Sequence, residues 1–215
     1  MELLTHFFDF FIHLNTHLAS ILADYGTLTY AILFLIIFCE TGLVVMPLLP
    51  GDSLLFAAGA LLASTGQLDV YALIALLICA ALMGDNLNYF VGKYFGTKIK
   101  SREKIGFFKR EYITKTEAYY HKYGGRTVIL ARFIPIIRTI APFVAGAGNM
   151  QYSRYLLFCI TGACLWVGGL ITLGYQFGNL EFVKRNFELV ILGIVAVSLA
   201  PLLYEFGRNF LKKTS

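Results

Sequence analysis

Residues 70–92 read VYALIALLICAALMGDNLNYFVG, a run broken by one charge, Asp85. As an α-helix it rises about 1.5 Å per residue and clears the ~30 Å hydrocarbon core of a bilayer. Residues 155–178 and 187–207 are comparable runs. The chain is 58% hydrophobic and only 14% charged, against roughly a quarter charged residues in soluble domains. The runs mix Leu, Ile, Ala and Phe without the apolar–polar alternation of barrel strands. The expected class is an all-α polytopic membrane protein.

The charges set the orientation. No Lys or Arg occurs from Met1 to Gly92, and ten occur from Lys93 to Arg126. The positive-inside rule makes 93–126 a cytoplasmic loop and, with Lys212 and Lys213, puts the C-terminus on the same side. Basic residues confined to membrane flanks do not point to nucleic acid. Within the loop, Thr114 and Glu117 form a capping-box pattern before a Tyr-rich helix that Gly124-Gly125 ends. Phe107, Phe108, Tyr112, Tyr119, Tyr120 and Tyr123 suit contact with headgroups. Cys39, Cys79, Cys159 and Cys164 lie in apolar runs without CxxC spacing or a nearby His. No disulfide, metal site or cofactor is expected from them.

Residues 3–24 place His6, Asp9, His13, Thr16, His17, Ser20 and Asp24 along one helical face, with Leu and Phe on the other. This is an amphipathic N-terminal helix, lying on the membrane or crossing it. Its three histidines could ligate a metal, although an exposed polar face needs such residues anyway.

Two short patterns recur in order. Phe56-Ala-Ala-Gly-Ala60 matches Phe143-Val-Ala-Gly-Ala147 at an offset of 87, and Gly92-Lys-Tyr-Phe-Gly96 matches Gly174-Tyr-Gln-Phe-Gly178 at an offset of 82. The pair signals duplication. Residues 127–148 carry Arg132, Arg138, Pro135 and Pro142 in a stretch too short for two crossings. A re-entrant hairpin accommodates these residues, since irregular backbone at depth is tolerated where protein buries it. The block around Pro47, Pro50, Gly51 and Asp52 reads the same way, and Asp52 aligns with Thr139, both N-cap residues.

The expected division is one membrane domain over 1–215: amphipathic helix 1–26; first copy 27–96 (hairpin 27–66, crossing 70–92); basic loop 97–126; second copy 127–178 (hairpin 127–149, crossing 155–178); and C-terminal crossing 187–207. A hairpin plus one crossing inverts the second copy. The hairpin turns would then meet near the midplane, as in many secondary transporters.

Glu40, Asp52, Arg132 and Arg138 would gather there. Each charge at the bilayer centre costs roughly 2.5–3.5 kcal/mol, so four unpaired would cost on the order of 10 kcal/mol. Acids from one hairpin can neutralise bases from the other, leaving the set formally neutral. Arginines beside helix N-termini suit an anionic, phosphate-bearing substrate, and the carboxylates could take up protons as partners leave. The alternative is that the charges only staple the hairpins together. Asp85 and Asn88 lie on a polar stripe of the 70–92 helix, where Asp85 could bond Asn88 or a hairpin backbone. No His lies in the hairpins, and no nucleophile–base pair or metal set points to an enzyme.

These residues resemble the DedA family, also called the SNARE-associated or VTT-domain family. The resemblance rests on Glu40-Thr-Gly42, Pro47-Leu-Leu-Pro-Gly-Asp52-Ser-Leu-Leu55, Gly84-Asp85 with Asn88-Tyr89, and Ala131-Arg-Phe-Ile-Pro-Ile-Ile-Arg138. It continues through Ala141-Pro142, Ala145-Gly146, Gly162 and Trp166. It implies a multi-pass bacterial inner-membrane protein with facing re-entrant hairpins, and essential charged positions at Glu40, Asp52, Arg132 and Arg138. It further implies movement of lipids between leaflets, undecaprenyl phosphate foremost, with protons as a candidate coupling ion. Membrane lipid is the expected partner, and the oligomeric state stays open. The second reading is a proton- or ion-coupled transporter of a small solute that supports membrane-potential homeostasis.

Overall fold

The computed structural model describes residues 14–42, 51–66, 69–99, 104–105, 108–187, 189–194 and 196–197. Helix α1 (Leu14–Tyr25) passes through a 3-10 turn, Gly26–Leu28, into α2 (Thr29–Gly42). Helix α3 (Gly51–Thr65) precedes the long α4 (Val70–Ile99). A two-residue antiparallel pairing, β1 (Lys104–Ile105) with β2 (Phe108–Lys109), leads into α5 (Arg110–Tyr123). A second 3-10 turn, Gly124–Arg126, opens α6 (Thr127–Ala131), and α7 (Pro135–Ala147) follows. Helix α8 (Tyr152–Phe177) contains a π-helical turn at Cys164–Gly168, and α9 is Glu181–Arg185.

Among the described residues, three helices are long and apolar enough to cross a membrane: Ser20–Gly42, Val70–Phe95 and Tyr152–Phe177. Leu35, Met83, Phe90, Leu157 and Leu165 on these helices are exposed. That is an apolar surface a bilayer would cover, and the protein is a helical membrane protein. Helices α3 and α7, of 15 and 13 residues, rise only about 20 Å, well short of the core. They are instead the most enclosed elements. Ser53 to Leu62 and Ile137 to Gly146 are buried without a break, packed against α4 and α8.

The two copies interlock. A Cβ added at Gly92 would overlap the Phe143 carbonyl, and one added at Gly174 would overlap the Phe56 carbonyl. Likewise Gly146 abuts the Tyr89 carbonyl and Gly59 the Ile171 carbonyl. The equivalent atoms follow the offsets of 87 and 82. The short helix of each copy therefore packs on the crossing helix of the other. Contacts between α3 and α8 advance together, from Gly59 on Ile171 to Ala60 on Gly178. Asn179 Nδ2 then donates to the Ala63 carbonyl at 2.8 Å. The two helices thus run in the same direction.

The repeat also reaches further back than the two sequence patterns. Tyr25-Gly26-Thr27-Leu28-Thr29 and Tyr123-Gly124-Gly125-Arg126-Thr127 form the same turn. Gly26 and Gly124 both take positive φ, +53° and +58°, which favours glycine. Thr29 Oγ1 donates to the Ile21 carbonyl at 3.4 Å, and Thr127 Oγ1 to the Tyr119 carbonyl at 2.9 Å. Helix α1 is therefore the first copy's counterpart of α5.

Several expectations change. Helix α5 begins at Arg110, so Thr114 and Glu117 lie inside it and do not cap it. Helix α7 begins at Pro135, whose fixed φ suits a first helical position, so Thr139 is an interior residue and not an N-cap. Pro142 also lies within α7 and does not break it. The lack of an N–H there only removes the donor for the Arg138 carbonyl. Helix α4 continues to Ile99, past the expected end at 92. Leu18 and Leu22 of α1 are buried in the core with α3 residues. His6, His13 and His17 of the amphipathic face lie outside the described side chains. Pro47 and Pro50 lie outside the described residues, as does the expected 187–207 crossing beyond residue 197.

The interlock predicts that Gly92→Ala and Gly174→Ala each destabilise the detergent-solubilised protein by about 1–3 kcal/mol through overpacking. Gly168→Ala, with nothing near the added methyl, should leave the unfolding temperature unchanged. Equal melting curves for all four proteins would contradict the interlock.

Candidate functional site

The start of α3 lies against the end of α2. Glu40 is buried, and its Oε1 accepts the Gly51 amide at 3.3 Å. A carboxylate is favoured there because the first amides of a helix have no intrahelical partner and carry its positive end. The fit requires glycine: a Cβ on Gly51 would overlap the Glu40 carboxylate. Arg138, one turn into α7, reaches both acids. Its Nη2 donates to Glu40 Oε1 and its Nη1 to Asp52 Oδ1 at 3.1 Å. Asp52 Oδ1 also accepts the indole N–H of Trp166 at 2.7 Å. The Arg138 guanidinium carbon lies 4.6 Å from the centroid of that indole, a cation–π distance.

A second cluster lies beside the first. Arg132 Nη2 pairs with Asp85 Oδ2, and both side chains are buried. The Cys159 thiol is 3.4 Å from the same Asp85 oxygen. Tyr155 OH donates to the Asp85 carbonyl at 2.9 Å. Asn88 Nδ2 donates to the Thr41 carbonyl at 2.6 Å, tying α4 to the end of α2. Gly162 leaves room for Arg132, whose Nε would lie 2.8 Å from an added Cβ. At the end of the loop helix, Tyr120 OH donates to the Ala141 carbonyl at 3.0 Å. Burial pushes its phenol up, so it remains a donor at any ordinary pH.

The structure joins Glu40, Asp52 and Arg138 but corrects the partner of Arg132. That residue pairs with Asp85 on the crossing helix and not with a hairpin acid. Among the described residues, the Asp85 carboxylate meets Arg132 and the Cys159 thiol, while the Asn88 amide bonds the Thr41 carbonyl instead. The joined set is three carboxylates to two guanidiniums, so it is not formally neutral. Trp166, Cys159 and Tyr155 were missed as site residues. The available signal was position: Cys159, Gly162 and Trp166 follow one face of α8 at helical spacing.

Both clusters border one cavity of about 530 Å³. Asp52, Arg132 and Trp166 are the polar side chains that line it. Leu165, Leu170, Leu173, Val190, Ile194 and Val197 make much of the rest apolar. Among the described residues, Arg132 Nε and Nη1, Arg138 Nε and Glu40 Oε2 are buried without a hydrogen-bond partner. The same residues contain no group of three side chains able to hold a metal ion. All four cysteines are free thiols.

The VTT-domain family profile matches residues 49–176. The chain belongs to this family, the DedA family of membrane proteins. It is 49% identical over 210 residues to Protein DedA of Escherichia coli K12, covering 97% of this chain and 96% of that one. Two further E. coli K12 relatives are the inner membrane proteins YqjA and YghB. Identity to YqjA is 33% over 162 residues, covering 75% and 73% of the two chains. Identity to YghB is 29% over 194 residues, covering 90% and 85%. No solved structure matches the chain.

Breaking a buried ion pair from one side costs about 3–5 kcal/mol, because the remaining charge is stranded. Asp85→Ala should therefore lower the unfolding temperature sharply, and Asp85→Leu with Arg132→Met should recover most of the loss. A double variant as unstable as the sum of two single losses would contradict the pairing.

Proposed function

We propose that this protein moves an anionic lipid between leaflets, with undecaprenyl phosphate the leading substrate. The observation that carries the reading is a mainly apolar cavity lined by a buried guanidinium, Arg132, whose Nε and Nη1 have no hydrogen-bond partner among the described residues. A polar donor buried without a partner costs on the order of 1–3 kcal/mol, and a phosphate oxygen would relieve that cost. Arginine suits phosphate because its planar fork donates in parallel pairs. The headgroup would lie between Arg132 and Arg138 while the tail follows the apolar wall. The shared DedA membership is consistent with a membrane role and leaves the substrate to this argument.

On this reading, Glu40 and Asp52 hold Arg138 when no lipid is bound and yield it when a headgroup arrives. Asp85, Asn88, Gly51 and the α7 residues Pro135, Thr139 and Pro142 shape and support the site. One carboxylate in excess gives a proton a place in the cycle, which would couple exchange to pH. The segments 27–66 and 127–149 are read as hairpins entering from opposite faces. The loop 93–126 and the C-terminus are read as cytoplasmic, in an inner membrane. The chemistry is binding and release, with no bond made or broken.

In liposomes, the purified protein should speed leaflet exchange of a polyprenyl phosphate at least tenfold over empty vesicles. Arg138→Ala should fall to the empty-vesicle rate, and Glu40→Gln should alter the pH profile. Wild-type protein no faster than empty liposomes would overturn the reading. Orientation is checked separately: Lys115→Cys should react with an impermeant maleimide in inverted membrane vesicles and not in intact cells.

A further inference from the structure

Trp166 is the only tryptophan in the chain. It is almost fully buried, at 2% exposure, and sits in the π-helical turn of α8. Such turns insert one residue into an α-helix and often occur at functional sites. The 82-residue offset makes Gly84 its counterpart in the first copy. There an added Cβ would overlap Thr41 Oγ1 and lie 2.7 Å from the Gly42 amide, so α4 meets α2 directly. The second copy places the largest side chain where the first requires the smallest. The repeated architecture alone does not ask for an indole at this position.

The surroundings of the indole indicate its use. Its N–H and Arg138 Nη1 donate to one and the same oxygen, Asp52 Oδ1, at 2.7 and 3.1 Å. Its ring lies 4.6 Å from the Arg138 guanidinium and 6.0 Å from that of Arg132. It also lines the cavity beside Asp52 and Arg132. An anion that takes Arg138 Nη1 removes it from Asp52, and a partly buried carboxylate that loses its charged donor opposes that step. A neutral N–H fixed on the helix offers Asp52 a donor that does not leave with Arg138.

We propose that Trp166 is the positioning residue that allows Arg138 to exchange Asp52 for an anionic lipid headgroup. Its N–H holds Asp52 through the exchange, and its ring guides the guanidinium as it moves. This rests on the anionic-lipid reading above and assigns a step within it. The substrate class is a phosphate monoester on an apolar chain. Two guanidiniums then face a headgroup of up to two negative charges, while Asp52 stays anchored.

The test uses the full-length protein and dodecyl phosphate, with dodecanol and inorganic phosphate as controls. Dodecyl phosphate should shift Trp166 emission in the wild type. Dodecanol should not, and inorganic phosphate should act only at far higher concentration. Trp166→Phe keeps a ring and loses the N–H. It should bind dodecyl phosphate within about threefold of wild type yet exchange lipid at least tenfold more slowly, the effect of losing one hydrogen bond to a charged group. If Trp166→Phe folds poorly, benzothienylalanine at the same position removes only the N–H. Wild-type exchange rates in these variants would overturn the proposal, as would equal losses of binding and rate. Wild-type binding and exchange with unchanged emission would overturn it while leaving the anionic-lipid reading intact. No binding and no exchange in the wild type would overturn both.

Discussion

A guanidinium stays charged at any ordinary pH, so at membrane depth it must be given anions or water. Arg138 meets that demand by drawing the end of α2, the start of α3 and the second turn of α7 to one point. Neither short helix could hold its position in lipid alone, because each leaves unpaired amides at its start and is too short to reach both surfaces. The Glu40 carboxylate answers both needs, accepting the Gly51 amide and the Arg138 guanidinium through one oxygen.

Duplication makes this arrangement possible and also sets its limits. Each short helix rests on the crossing helix of the other copy through glycine-to-carbonyl contacts at equivalent positions. The two copies are thereby held in one register, and the starts of α3 and α7 meet. The chemistry, however, is not duplicated. The first copy supplies Glu40, Asp52 and Asp85, and the second supplies Arg132, Arg138 and Trp166. A symmetric frame thus carries an asymmetric charge set, and the cavity lies on the side where Trp166 replaces the glycine of the first copy.

Much of this frame was legible in the sequence, because length and hydropathy alone decide which runs can span a bilayer. The helices containing 70–92 and 155–178 follow from that rule, and a contact of Glu40 or Asp52 with one of the two arginines follows from the cost of a lone buried charge. The partner of Arg132 was less legible. Charge balance says that an acid must be near but not which one, and Asp85 wins because α4 packs on α7 and α8. Thr139 has the chemistry of a cap but not the place of one, because Pro135 sets the helix start one turn earlier. The α1–α5 equivalence rests on backbone geometry, a positive-φ glycine and a threonine bonding back to a carbonyl, more than on residue identity, so the sequence shows little of it. In the sequence Trp166 enters only through the family resemblance, and the geometry of Asp52 and Arg138 around its ring is what gives it a role.

The central claim is that Arg138 leaves its carboxylates for the phosphate of a bound lipid. Solid-state NMR on protein carrying 15N-labelled arginine, reconstituted with a long-chain alkyl phosphate, tests it most directly. Dipolar coupling between 31P and guanidinium 15N, lost in Arg138→Lys for the signal assigned to this residue, is the predicted result. A guanidinium signal from Arg138 with no 31P coupling at saturating lipid would contradict the account.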